Sequence, residues 1–198
     1  MLGIFLDTET NGLDPQKHRV LEIAFKIVDL YSGEEIKTFH TLVQISHSLW
    51  ALSDPASLQV CGIHYEETQK GLPLEIVQKE VKNIFFNHGI TRGKAVFICQ
   101  NPSFDRVFFA QILSVALQEQ MNIPYHWLDL ASMFWGFCME RAKNSQTPFP
   151  WEVCFTKDKI ATFFHLEKEK QPHRAINGVN HLIACYEALL GFPSKIQI

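Results

Sequence analysis

The chain has 198 residues, of which 46% are hydrophobic and 20% charged, a composition that excludes a disordered chain and is sufficient for one domain with a full core. A net charge of -3 excludes the general basic coat that grips duplex DNA, so any nucleic-acid contact has to be local. Five scattered cysteines without a CxxC pair exclude a disulfide framework or zinc knuckle, and no apolar run reaches the roughly 18 residues of a membrane span. With no basic stretch at its start, MLGIFLDTE reads as mature sequence, and a reducing cytoplasm is the default setting.

LGIFLDTE is a short apolar run ending in acids, the pattern of a buried central strand whose end emerges at a site. NGLDP breaks the chain. VLEIAFKIVDL and IKTFHTLVQI then alternate apolar with polar around a YSGEE turn, which predicts a meander beside the first strand. DPASLQVCGIH opens on a helix-start signal, and LPLEIVQKEVKNIFFNHG carries helical periodicity. KAVFICQN predicts a second buried strand. SFDRVFFAQILSVALQEQ follows as one helix capped by Ser103. HWLDLASMFWGFCMERAK becomes helical after its first residues, NSQTPFPWEV is a loop, and DKIATFFHL is a short helix. EKEKQP is a charged connector, and NHLIACYEALLGF is a last helix closed by Gly191. This order predicts one α/β domain over 1–198 with a mixed sheet flanked by helices.

Asp7 and Glu9 sit at i and i+2, so on a strand their side chains share one face about 7 Å apart. Two carboxylates that close repel and hold protons unless a cation joins them, and magnesium or manganese, which prefer oxygen ligands, fit that need. Asp105 lies just inside a predicted helix that follows a strand, where the positive helix end favours an anion. His40, His64, His126, His165 and His181 lack HxxxH or HxH spacing, and neither GxSxG nor GxxxxGK occurs. Zinc, esterase and nucleotide-triphosphatase chemistries are therefore disfavoured.

FLDTETNGLD with HRVLEIA resembles the first motif of the DEDD superfamily of 3'-5' exonucleases, and VFICQNPSFDRVFFAQIL resembles the second, with Asn101, Phe104 and Asp105 in its NxxFD core. LDLASMF, DKIATFF and PHRAI follow in the family's order, so the likeness spans nearly the whole chain, and the histidine in PHRAI points to the DEDDh branch. The resemblance implies an RNase H-like fold and hydrolytic release of nucleoside monophosphates from 3' ends of single-stranded DNA or RNA. It also implies two Mg²⁺ or Mn²⁺ ions about 3.5–4 Å apart clamping the scissile phosphate. Asp7 would bridge both ions, Glu9 and Asp105 would complete their spheres, and His173 would deprotonate the attacking water. Thr8, Thr10, Leu13, Asn101, Phe104 and Arg174 are the implied substrate contacts.

The family's fourth acid follows its histidine by five residues, where this chain has Gly178. Matching HLIACYEALL to the family's helix instead, and allowing a remodelled start at the Asn177-Gly178 turn, moves that acid to Asn180 or else to His181, and Asn180, the isostere of aspartate, is expected here as the fourth catalytic and metal ligand. Asparagine keeps a carbonyl ligand but loses a charge. This departure leaves a second reading open, a catalytically impaired module that binds single-stranded ends, and a polymerase-associated proofreading subunit is a third. DNA against RNA, substrate length and pairing as a homodimer stay open.

Overall fold

The computed structural model describes residues 1–144 and 148–195; three residues of the predicted 144–153 loop, 145–147, lie outside the described residues. β1 (Leu2–Thr10) is the central strand, with Ile4, Phe5 and Leu6 fully buried. β2 (Val20–Asp29) and β3 (Glu35–Leu42) extend it as an antiparallel meander, and β4 (Ala95–Cys99) and β5 (Trp127–Asp129) add to its other edge in parallel. The order is β3-β2-β1-β4-β5, the mixed sheet predicted.

Between strands β3 and β4 run α1 (His47–Trp50), α2 (Pro55–Cys61), α3 (Tyr65–Thr68) and α4 (Leu74–Asn87). α5 (Pro102–Ile112) and α6 (Val115–Gln120) follow β4, then α7 (Leu130–Lys143), α8 (Lys157–Phe163) and α9 (Ala175–Leu190) complete the chain. Among the described residues no helix is long and apolar enough to cross a membrane.

Alternation along β1 feeds two layers. Ile4 and Leu6 pack with Val77, Phe85, Phe108 and Phe109 under α4 and α5, whereas Phe5 packs with Leu130, Ile160, Val179 and Leu182 under α7, α8 and α9. Continued past the apolar run, this two-residue period turns Thr8 toward α5, and Asp7 and Glu9 toward α8 and α9.

Three local expectations are corrected. The predicted 103–120 helix is broken, because the buried Leu113 takes extended backbone (φ -116°, ψ 103°) and Ser114 caps α6 by accepting from the Leu117 amide. The cap residue of α5 is Asn101 in the left-handed region (φ 58°, ψ 62°), and the Ser103 hydroxyl donates to its Oδ1 at 2.7 Å. Finally, α9 starts at Ala175, five residues before the predicted start, so Asn177 and Gly178 are helical.

The early start of α9 follows from Glu22, which is fully buried on β2. Its Oε2 accepts the Ala175 amide at 2.9 Å and Arg174 Nε at 3.1 Å, while His40 Nε2 lies 2.6 Å from Oε1. The carboxylate thus satisfies an otherwise orphaned amide at the positive end of the helix. Burial pushes the Glu22 carboxyl up, but the bonds from His40, Arg174 and Ala175 outweigh it and hold the group below the usual range. Glu22→Ala strands Arg174 and the α9 amide, and is expected to lower unfolding free energy by about 3–5 kcal/mol in urea melts.

Candidate active site

Where β1 ends, the two layers deliver acids to one place. Asp7 and Glu9 stand on the α9 side, Glu9 directly opposite Glu22 in the β1–β2 register. Asp105, on the first turn of α5, reaches over from the other layer and is buried. Its Oδ1 accepts both the Thr8 amide (3.0 Å) and the Thr8 hydroxyl (2.8 Å). Burial, and then the neighbouring Asp7, raise the Asp105 carboxyl well above its usual range. Burial together with the nearby Glu169 likewise raises Asp7, against the pull of Lys157. Glu9 is pushed up to about 8 by burial, Asp7 and Glu22. Three crowded, proton-holding carboxyls signal a shortage of positive charge.

Part of that charge is supplied by Lys157. The first residue of α8, it is held behind the Thr156 cap, and its Nζ lies 3.3 Å from Asp7 Oδ1 and 3.0 Å from Glu169 Oε2. Asp7 and Glu169 keep this ammonium protonated despite its burial. Glu169, itself 2% exposed, also places Oε1 3.1 Å from His173 Nδ1. Burial favours its neutral form, yet His181, Lys157 and His173 hold it at about 2; His181 Nδ1 stands 3.8 Å away, an ion-pair separation too long for a hydrogen bond. Sequence reading missed both residues. Glu169 sits within EKEKQP, and a charge run reads as solvated surface unless tertiary contacts bury one member.

The expected residues divide into groups. Asn101, Lys157, Glu169 and His173 line one opening of about 490 Å³. Thr8, Glu9, Thr10, Leu13 and Phe104 line a second cleft of about 370 Å³, with Leu13 72% exposed. Phe108, one turn further along α5 from Phe104, is fully buried core. Arg174 is corrected: its Nε is bound to Glu22 and its Nη1 to Glu67 Oε1 at 3.3 Å, so its guanidinium anchors α9 rather than reaching for phosphate.

Asn180 is corrected as well. It is exposed and lines a different hollow with Glu167, Lys168 and the far side of Glu169, because two helical steps carry it about 200° around α9 from Gly178. Gly178 is the residue set against Asp7: a Cβ there would overlap Asp7 Oδ2 and come within 3.1 Å of Lys157 Nζ. Gly178, the residue at the five-residue spacing, is thus the one that faces Asp7, and a glycine offers no side-chain ligand there. Gly178→Ala is expected to cost about 1–3 kcal/mol through overpacking, read as a lowered melting temperature. Asn180→Asp should leave both stability and turnover within about twofold of wild type, as an exposed substitution away from the cluster does.

The donor set fits the two-ion centre only in part. Among the described residues no three His, Cys, Asp or Glu side chains converge as a metal-holding group. Asp7 and Glu9 remain a suitable pair for one hard divalent ion, since magnesium is commonly held by one or two carboxylates with water and substrate phosphate.

An α/β domain with carboxylates gathered at the end of its central strand defines a class of phosphodiester-processing proteins, and comparison with known proteins narrows it. A family model described as an exonuclease, RNase_T, matches residues 4–185, and the chain belongs to that exonuclease family, within the DEDD superfamily its motifs resemble. DNA polymerase III PolC-type from Thermotoga petrophila is 28% identical over 123 residues, 62% of this chain and 8% of that protein. E. coli Exonuclease I in complex with a dT13 oligonucleotide superposes with a TM-score of 0.77 at 17% identity, covering 98% of this chain and 42% of that one. Cell-death related nuclease 4 superposes with 0.71 at 13% identity, covering 94% and 62%. The fold is the RNase H-like one, and this chain spans less than two thirds of each of these relatives.

Proposed function

We propose that this domain is a metal-dependent 3'-5' exonuclease that releases nucleoside monophosphates from single-stranded DNA or RNA ends. The observation that carries this reading is the chain of contacts from Asp7 through Lys157 and Glu169 to His173, with Glu9, two residues along β1 from Asp7, lining the Leu13–Phe104 cleft. The cleft takes the terminal nucleotide, with Leu13 and Phe104 against its base and the backbone of Thr8 and Thr10 beside its sugar. Single strands need few phosphate contacts, which suits a chain of net charge -3.

His173 is the general base. Glu169, held at about 2, is an ionised acceptor, so the proton of a neutral imidazole resides on Nδ1 and the lone pair on Nε2. That lone pair accepts from the Gln171 amide at 2.9 Å and becomes available to a water when the amide turns away. Glu169 is accordingly a positioning residue, fixing tautomer and ring angle as a carboxylate does for other catalytic histidines. Asp7 and Glu9 would hold a divalent ion, which when bound would supply charge stabilisation at the phosphate and lower the pKa of the attacking water. Asp105 braces the end of β1 through Thr8.

Likeness to a PolC-type polymerase supports a polymerase as partner in one setting. The domain is tested with single-stranded oligomers whose 3' ends are either free or phosphate-blocked. Mononucleotides should appear in Mg²⁺ from free ends, with blocked ends degraded far more slowly. Tight end binding without release would move the domain to the impaired binding module, which Gly178 favours.

A further inference from the structure

We propose that the Lys157 ammonium replaces one divalent ion, so that the carboxylate cluster holds a single metal, at Asp7 and Glu9. This rests on reading the cluster as a divalent-metal site. Three observations carry it. Lys157 lies where a cation shared between acids would lie, within ion-pair distance of both Asp7 and Glu169, with its side chain only 12% exposed. Its backbone is fixed at the start of α8 by the Thr156 cap, so the ammonium belongs to the site rather than to a wandering surface chain.

The second observation is Gly178. At the position from which an acid would extend to a second ion, the helix backbone instead lies against Asp7 Oδ2, and the space a side chain would take is bounded by Lys157 Nζ. An acid at 178 and an ammonium at this spot compete for one volume. The loss of a ligand and the arrival of a fixed cation are thus two halves of one exchange. Third, a second divalent ion on the Lys157 side of Asp7 would stand close to a like charge in a poorly solvated site, where screening is weak. Glu9, by contrast, has no cation in ion-pair contact among the described residues and is the natural holder of the remaining ion together with Asp7.

Titration with Mn²⁺, followed by the electron paramagnetic resonance of free ion and by calorimetry, is carried out on the full chain with and without a nucleoside 5'-monophosphate. One Mn²⁺ per chain is expected in both conditions; two, or none, overturns the proposal. Lys157→Met should melt at lower temperature without metal, recover with Mn²⁺, and bind Mn²⁺ about tenfold or more tightly. An unchanged Mn²⁺ affinity in that variant also overturns it, since a purely structural lysine would alter melting alone. Should the variant fail to fold, the wild-type count still decides. Failure of the nuclease reading looks different: one Mn²⁺ bound, and no oligomer shortened.

Discussion

His173→Ala is expected to lower kcat by about 10²–10⁴-fold, the usual contribution of a positioned general base, with little change in KM. The loss should be confined to the chemical step, because His173 lies beside the opening shared with Lys157 and Asn101 and not in the Leu13–Phe104 cleft. Single-turnover hydrolysis as a function of pH separates the two effects. Wild type should show a rising limb set by an ionisable base, and the variant should lose that limb. A variant that keeps both rate and profile would place the base elsewhere.

Glu169→Ala carries an expected loss of stability as large as that of Glu22→Ala. Lys157 and His173 both depend on this carboxylate, and removing one member of a buried ion pair costs about 3–5 kcal/mol. The pH dependence has a definite sign. Folding lowers Glu169 from the usual 4.5 to about 2, so its contribution is complete above about 4.5 and disappears as pH falls through the window down to about 2. Urea melts of wild type and variant should therefore differ most at neutral pH and converge in acid. The variant should also lose turnover, as His173 loses its orienting partner. Glu169→Gln, which can still bond to His173 but no longer pairs with the ammonium, should recover more of the rate than of the stability.

The sequence made the first strand and its acids legible because local pattern and chemistry coincide there: an apolar run long enough for a buried strand ends in two acids spaced for one face. Asp105 was legible for the same reason, through a strand followed by a helix start. Lys157 and Glu169 were not, since their meaning lies in contacts across the fold. Asp7 and Lys157 are 150 residues apart, and nothing local distinguishes Lys157 from the other lysines. The misplacement of the fourth position had a specific cause. Asn-Gly is a strong turn signal, which pushed the start of the last helix to Asn180, whereas a carboxylate on β2 caps the helix at Ala175 and carries Asn177-Gly178 into its first turn. A tertiary cap overrode a local propensity, and with it the choice between Asn180 and Gly178.

Leu13 shows a placement that local sequence does not decide: an apolar side chain in the turn after β1 reads as core or surface, and it is 72% exposed beside Glu9 and Phe104. Arg174 shows how a charge beside a candidate site residue misleads, since its partners Glu22 and Glu67 lie far away in sequence.

The central claim, that the cluster around Asp7 is an exonuclease centre, is tested most directly with a 5'-labelled single-stranded oligomer incubated in Mg²⁺ with wild type and with Asp7→Asn. The account predicts a ladder shortening one nucleotide at a time from the 3' end with wild type, abolished by EDTA and by the substitution. No shortening by wild type, or equal laddering by both proteins, would contradict it.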